Sequence, residues 1–203
     1  MSVVSGPPGV WLIEMDQNFA SIEKLSAPFN LPLADPRDAA PADLFPALAA
    51  PIAIYRPTLS FHPDQFIRAL PKARFIEISI QRIRAGTDAE FVDLLRNRRR
   101  SLESMNSDLP SIAYQFVSGV PSGTYMFLTP LATLATLDDA LARLGAALND
   151  SPGDAIAKAT AASGSLQVTH ETGIFHIEPR CSYVSADFAA ADPDFWNAGS
   201  AAR

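Results

Sequence analysis

The polar residues best placed for chemistry sit on two strands of alternating character. In Phe75–Arg84, Ile76, Ile78 and Ile80 alternate with Glu77, Ser79 and Gln81, so the polar three share one face. In Thr172–Glu178, Phe175 and Ile177 alternate with His176 and Glu178. If the apolar residues pack on helices, the polar set points the other way. A strand-helix-strand-strand-helix-strand unit places its first strand beside its last. His176 then comes near Glu77 or Ser79, as a general base oriented by a carboxylate. His176 and Glu77 are the expected catalytic pair, and Ser79, Gln81, Tyr114, Tyr125 and Glu178 the expected binding residues. The structural alternative is that these groups hydrogen-bond to one another where two sheets meet, since buried polar residues need partners. Tyr114, Tyr125 and Trp11 are then core aromatics.

Other chemistries find little support. The chain carries no nucleophile motif, phosphate loop or metal-ligand spacing, so neither a metal nor a cofactor is expected. Its three histidines, His62, His170 and His176, form no motif, and His62 is expected in an exposed loop before Pro63. The single cysteine, Cys181, excludes an intrachain disulfide and reads as a small buried residue. Arg96, Arg98, Arg99 and Arg100 form a basic cluster, read as a solvated helix face because no aromatic or glycine-rich loop accompanies it.

The elements that position these residues follow from local pattern. Gly6-Pro7-Pro8-Gly9 is a turn before a strand at Val10–Ile13. Phe19, Ile22 and Leu25 suit a short helix over Asn18–Phe29. Asn30–Pro51, with five prolines, reads as a loop. A strand follows at Ile52–Arg56. Beyond Phe75–Arg84, Thr87-Asp88-Ala89-Glu90 fits a capping box for a helix running to about Met105. Strands are expected at Ile112–Val117, with Ile112, Tyr114 and Phe116 on one face, and at Thr124–Thr129. Leu134, Leu137, Leu141, Leu144 and Leu148 give a helical stripe, and a second short helix is expected at Asp154–Ala162. Phe188, Phe195 and Trp196 in the tail are expected to pack back on the domain.

Of the 203 residues, 48% are hydrophobic and 19% charged, with net charge −6, enough for a core and unsuited to nucleic acid. No apolar run approaches the roughly 18 residues of a membrane span. The first residues, MSVVSGPPGVWLIEM, lack the basic and then apolar regions of a signal peptide. The cytoplasm is the default expectation, and it lapses if the native chain begins upstream.

Short segments recur in order. Val4–Trp11 parallels Val117–Tyr125 with one residue inserted. Phe19, Ile22 and Glu23 parallel Leu134, Leu137 and Asp138, and Pro57-Thr58-Leu59-Ser60-Phe61 parallels Pro179-Arg180-Cys181-Ser182-Tyr183. The division expected is an incomplete first module at 1–61 (strand, helix, loop, strand), a connector at 62–73, a complete β-α-β-β-α-β module at 74–185, and a tail at 186–203. The strands near Trp11 and Ile54 would lack a shared neighbour. The other copy's strands, a second chain, or a longer parent protein would complete them, and the last is favoured because no substitute strand is visible before residue 60.

The element order, the Arg82-Ile83-Arg84-Ala85-Gly86 run after the first strand, and the Val117-Ser118-Gly119-Val120-Pro121-Ser122-Gly123-Thr124 turn resemble the dimeric α+β barrel superfamily. That group includes the antibiotic biosynthesis monooxygenase-like proteins. The chain is similar to bacterial proteins carrying two such modules in tandem. The resemblance covers 74–185 well and 3–61 partly. It implies an α+β, ferredoxin-like fold in which two sheets face each other and close a barrel, with Glu77, Ser79, Gln81, His176 and Glu178 turned inward. It also implies a small apolar or aromatic ligand, and a homodimer through a sheet face or edge. The function expected is a small-molecule-binding barrel protein, as in cofactor-independent monooxygenases acting on aromatic or quinone-type substrates. The alternative is a non-enzymatic structural or interaction module, degenerate in its first copy. Haem degraders in this group resemble one another through a strand-one Asn, a strand-three Trp and a helical His. Here Phe75–Arg84 has no Asn, Tyr125 takes the strand-three position (Trp11 in the first copy), and no expected helix carries a His.

Overall fold

The alternating segment centred on Ile78 becomes the axis of the sheet. The computed structural model describes residues 2–5, 12, 51–104, 107–150, 161 and 163–197. Six strands lie among them: β1 (Ser2–Ser5), β2 (Ile52–Tyr55), β3 (Phe75–Ile83), β4 (Ile112–Ser118), β5 (Thr124–Leu131) and β6 (Gln167–His176). They form one antiparallel sheet in the order β1-β6-β3-β5-β4-β2. The helices are α1 (Pro63–Ala69), α2 (Asp88–Ser104), α3 (Ala135–Asp150), α4 (Ala186–Ala189) and α5 (Pro193–Trp196). The fold is α+β.

Within the sheet β3 pairs with β6 on one side and β5 on the other, and β4 pairs with β5. The hairpin between β4 and β5 closes through Gly119 and Gly123, both at positive φ (83° and 74°), where a side chain is strained. A Cβ on Gly119 would also lie 2.6 Å from the Pro51 Cα, so the glycine lets β2 start beside the hairpin.

The outer strands revise the expectation of unpaired edges. Ile52–Tyr55 pairs with β4 along one edge and ends the sheet on that side. Ser2–Ser5 pairs with β6, a strand not anticipated before residue 60. Of the strand expected at Val10–Ile13, only Leu12 is among the described residues, and it is exposed and outside any strand. The helices expected at Asn18–Phe29 and Asp154–Ala162, the loop before Pro51 and the turn at Gly6–Gly9 lie outside the described residues, Ala161 excepted. The chain divides into two compact units, 1–10 with 51–203, and 11–50.

Each face of the sheet has its own core. On the first face Ile76, Ile78, Ile112, Met126, Leu128, Phe175 and Ile177 pack beneath Phe66 of α1, with Phe195 and Trp196 of the tail against them. The tail is pinned there: Trp196 Nε1 donates to the Pro71 carbonyl at 2.8 Å, and Arg74 pairs with Asp192 while its guanidinium lies 3.9 Å from the centre of the Phe195 ring. On the second face Ile83, Ala113, Tyr125 and Phe127 pack beneath Phe91 and Leu95 of α2. The Thr87 hydroxyl donates backward to the Arg84 carbonyl at 2.8 Å instead of capping α2 forward as the capping box predicts. Gly86, at φ 83°, makes that turn.

In the leucine stripe, Leu134 just before α3 and Leu141 within it are exposed, Leu141 at 57%, and Leu137 is half-buried. The parallel pentapeptides, by contrast, fold alike. Pro57–Leu59 and Pro179–Cys181 are both single 3-10 turns. In each, the following serine N–H donates to the proline carbonyl (Ser60 to Pro57, Ser182 to Pro179). In each, that serine's hydroxyl donates to the carbonyl four residues back, Ser60 to Arg56 at 3.0 Å and Ser182 to Glu178 at 2.8 Å.

Candidate functional site

The strand register decides which polar groups meet. Residues directly opposite in an antiparallel pair share a face. Glu77 faces Ile174, Ser79 faces Thr172, Gln81 faces His170, and Phe75 faces His176. All eight therefore lie on the second face, with Phe127 and Thr129 of β5, opposite Ser79 and Glu77.

That face is the one α2 covers. The expectation that Glu77, Ser79 and Gln81 turn away from the helices is thus reversed. Alternation separates two faces, but the cover of the isoleucine face comes from α1 and the tail, leaving the polar-bearing face to Phe91 and Leu95. Between α2 and the sheet lies a cleft of about 150 Å³. Glu77, Ser79, Phe127, His170 and Thr172 line its sheet side, and Arg98 lines it from α2.

A row of side-chain hydrogen bonds runs along this face. Gln167 Nε2 donates to Gln81 Oε1 at 3.0 Å, and Gln81 Nε2 donates to Ser79 Oγ at 3.4 Å. Ser79 Oγ lies 3.0 Å from His170 Nε2, and Thr172 Oγ1 lies 3.4 Å from the same nitrogen. Gln81 is 2% exposed, so its amide has no solvent to turn to. Accepting from Gln81 leaves Ser79 its proton and a second lone pair, so with the hydrogen on Nδ1 the His170 Nε2 accepts from the serine, and with it on Nε2 the ring donates to the serine. Hydroxyl and imidazole are within the range of a nucleophile and its base.

Charge surrounds this pair. Burial raises the Glu77 carboxyl above its ordinary value, and Arg98 and then His170 pull it back. Arg98 belongs to the exposed face of α2, yet its guanidinium ends where the surrounding protein lowers its pKa and Glu77 offsets part of that shift. Neighbouring arginines are engaged on the helix: Arg96 pairs with Asp93 at 2.9 Å and Arg99 with Glu103 at 3.0 Å. Three members of the basic cluster read as a solvated face, Arg96, Arg98 and Arg99, therefore line the cleft, and Arg98 is the one that interacts with its carboxylate, Glu77.

The remaining expected site residues are dispersed. His176 shares the face with Glu77 but packs edge-on against Phe75, ring centres 5.3 Å apart. Tyr114 lies on the first face, its ring 5.8 Å from Tyr55. Tyr125 is buried beneath α2, where its hydroxyl donates to Asp88 Oδ1 at 3.0 Å, and burial followed by that bond pushes its pKa up to about 12. Glu178 caps the turn after β6, and the hydrogen bond from Arg180, at 2.8 Å to its Nε, holds the carboxyl below its ordinary value. Cys181 is exposed, not buried as its type suggests. His62 caps α1 in the left-handed conformation, φ 47°, its ring 4.0 Å from that of Phe61.

His170 is the site residue that sequence reasoning missed. The last strand was expected to begin at Thr172, and it begins at Gln167. Extending the alternation back from His176 through Ile174 and Thr172 reaches His170 on the same face, so the signal was present. Among the described residues no cluster of His, Cys, Asp and Glu could hold a metal ion, and no helix is long and apolar enough to cross a membrane. Comparison of the chain with protein-family models, curated proteins and solved structures finds no match, so the reading of the site rests on its geometry.

Proposed function

We propose that the chain binds a small molecule in the cleft between α2 and the sheet, with His170 as the proton acceptor for chemistry on the bound molecule. The observation that carries this is the Ser79–His170 contact in the lining of a cleft that also holds Glu77 and Arg98. A base in hydrogen-bond reach of a hydroxyl, on rigid strands, is an arrangement suited to proton transfer. The cleft's size and lining favour a compact ligand bearing a hydroxyl, carboxyl or carbonyl group over a large apolar one. A cofactor-free enzyme of the monooxygenase-like kind needs such a base to take a proton from an aromatic hydroxyl. On this reading residues 74–185 are a ferredoxin-like module, supported by the strand order β6-β3-β5-β4. The matching turns at Pro57–Leu59 and Pro179–Cys181 support a partial repeat before it.

The test is a thermal-shift screen with small carboxylic acids, phenols and quinones, repeated on His170→Ala and His176→Ala. A ligand that binds only the native state raises the transition temperature. The reading expects the shift to vanish in His170→Ala and to persist in His176→Ala, and the opposite pattern overturns it. A second reading, an interaction module that pairs with another copy, is favoured by the exposed Leu141 of α3. Light scattering of the chain and of Leu141→Asp tests it: a dimer lost in the variant supports it, and a monomer in both excludes it.

A further inference from the structure

Resting on the cleft as the ligand site, the geometry points to a covalent step: we propose that Ser79 is a nucleophile toward short-chain carboxylic esters, with His170 as its base. Three observations carry this. The hydroxyl and imidazole are 3.0 Å apart, within the separation at which a base activates a nucleophile. The buried Gln81 amide, itself held by Gln167 at 3.0 Å, occupies one lone pair of Ser79, whose proton goes to His170 in the tautomer with a bare Nε2. Thr172 is the other hydroxyl at that nitrogen, at 3.4 Å, and it is exposed, so it can turn to water when the imidazole takes up the proton.

The rest of the cleft fits the ester. The charged residues that line the cleft with His170 are Glu77 from β3 and Arg96, Arg98 and Arg99 from α2, of which Arg96 and Arg99 are paired with Asp93 and Glu103 on the helix. The Glu77 carboxylate favours the imidazolium as it forms, since the two groups interact electrostatically. Arg98, at the cleft's helical wall, is the cation for the carbonyl oxygen as it gains charge, the role of preorganised positive groups in acyl transfer. A cleft of about 150 Å³ fits acyl groups of a few carbons.

The step balances with water as the only co-reactant. Ser79 Oγ attacks the ester carbonyl carbon, its proton passes to His170 Nε2, and the carbonyl pair moves to oxygen. Collapse breaks the bond to the alkoxy oxygen, which leaves as the alcohol with the proton from Nε2. Water then attacks the acyl-serine, gives a proton to Nε2, and collapse returns that proton to Ser79 Oγ and releases the carboxylic acid.

A fluorophosphonate, which loses fluoride to an activated serine, reports this directly. The folded chain is treated with the probe and the adduct mapped by peptide mass spectrometry, with Ser79→Ala and His170→Gln alongside. p-Nitrophenyl butyrate hydrolysis is followed on the same proteins. The proposal expects one adduct, at Ser79, absent in Ser79→Ala and formed on the order of a hundredfold more slowly in His170→Gln, with ester hydrolysis falling in step. Butyrate binding to the wild-type chain, read by thermal shift, separates the two readings. No adduct at Ser79 with butyrate still bound overturns the nucleophile and leaves the ligand site. No adduct and no butyrate shift overturns both. An adduct at Ser79 whose rate ignores His170→Gln overturns the role of the base.

Discussion

Replacing Phe91 by Ala tests what holds α2 over the sheet, and with it the roof of the cleft. Phe91 is fully buried at 0% exposure, packed with Ile83, Leu95, Ala113, Tyr125 and Phe127. Its ring centre lies 4.8 Å from that of Tyr125, inclined at 45°. Truncation removes the ring and leaves a cavity, which in protein cores costs about 3–5 kcal/mol, and about 0.5–1.5 kcal/mol of that is the aromatic pair. The helix cannot sink freely into the gap, because Tyr125 stays tied to Asp88 at the first turn of α2. The cost therefore belongs in the middle of that range or above, about 4 kcal/mol, a large share of the roughly 5–15 kcal/mol that stabilises a domain. With a urea slope of about 2 kcal/mol per molar, the unfolding midpoint falls by about 2 M. Urea denaturation followed by circular dichroism measures it. A midpoint lowered by less than about 0.5 M, at unchanged slope, would show that Phe91 does not anchor α2.

Three further outcomes are expected. Gly119→Ala places a side chain at φ 83° and 2.6 Å from the Pro51 Cα, so strain of about 1–2 kcal/mol adds to a backbone clash; thermal unfolding should show that loss or more, and an unchanged transition temperature would refute the close approach. Tyr125, pushed up to about 12, contributes stability that is present below the unfolded phenol's value near 10 and lost as pH rises through about 12. Absorbance at 295 nm should show a tyrosine step near pH 12 that moves earlier in Asp88→Asn; no step that responds to Asp88→Asn would refute it. Glu77, raised by burial, contributes stability that is present below its ordinary value of 4.5 and lost as pH rises through its folded value. Glu77→Gln should therefore flatten that stretch of the stability–pH curve and be the more stable form at pH 7, whereas parallel curves would contradict the burial of the carboxylate.

The strongly patterned strands were legible because alternation survives folding. β3 was expected at Phe75–Arg84 and ends at Ile83, and the tail aromatics pack where apolar residues near a sheet should. Which face lies under which cover was not legible. Ile76 and Ile78 mark one face, but Ile83, Tyr125 and Phe127 make the other apolar too, and only tertiary contact assigns α2 to it. The four residues of β1 carry too little pattern to announce a strand, and pairing with β6 defines them. The leucines of α3 announced an amphipathic helix without fixing what it would meet. His170 escaped because the five exposed positions Val168–Thr172 resemble a loop in polarity, although their parity is that of the strand.

The most direct measurement is the tautomer of His170, read by long-range proton–nitrogen correlation of the imidazole ring in ¹⁵N-labelled protein above pH 7, with the signal assigned by its loss in His170→Gln. The role of His170 as base to Ser79 needs the neutral ring to carry its hydrogen on Nδ1 and to accept at Nε2, and that is the result expected. A ring protonated at Nε2 would make His170 the donor to Ser79, and neither the base nor the activated serine would then exist as described.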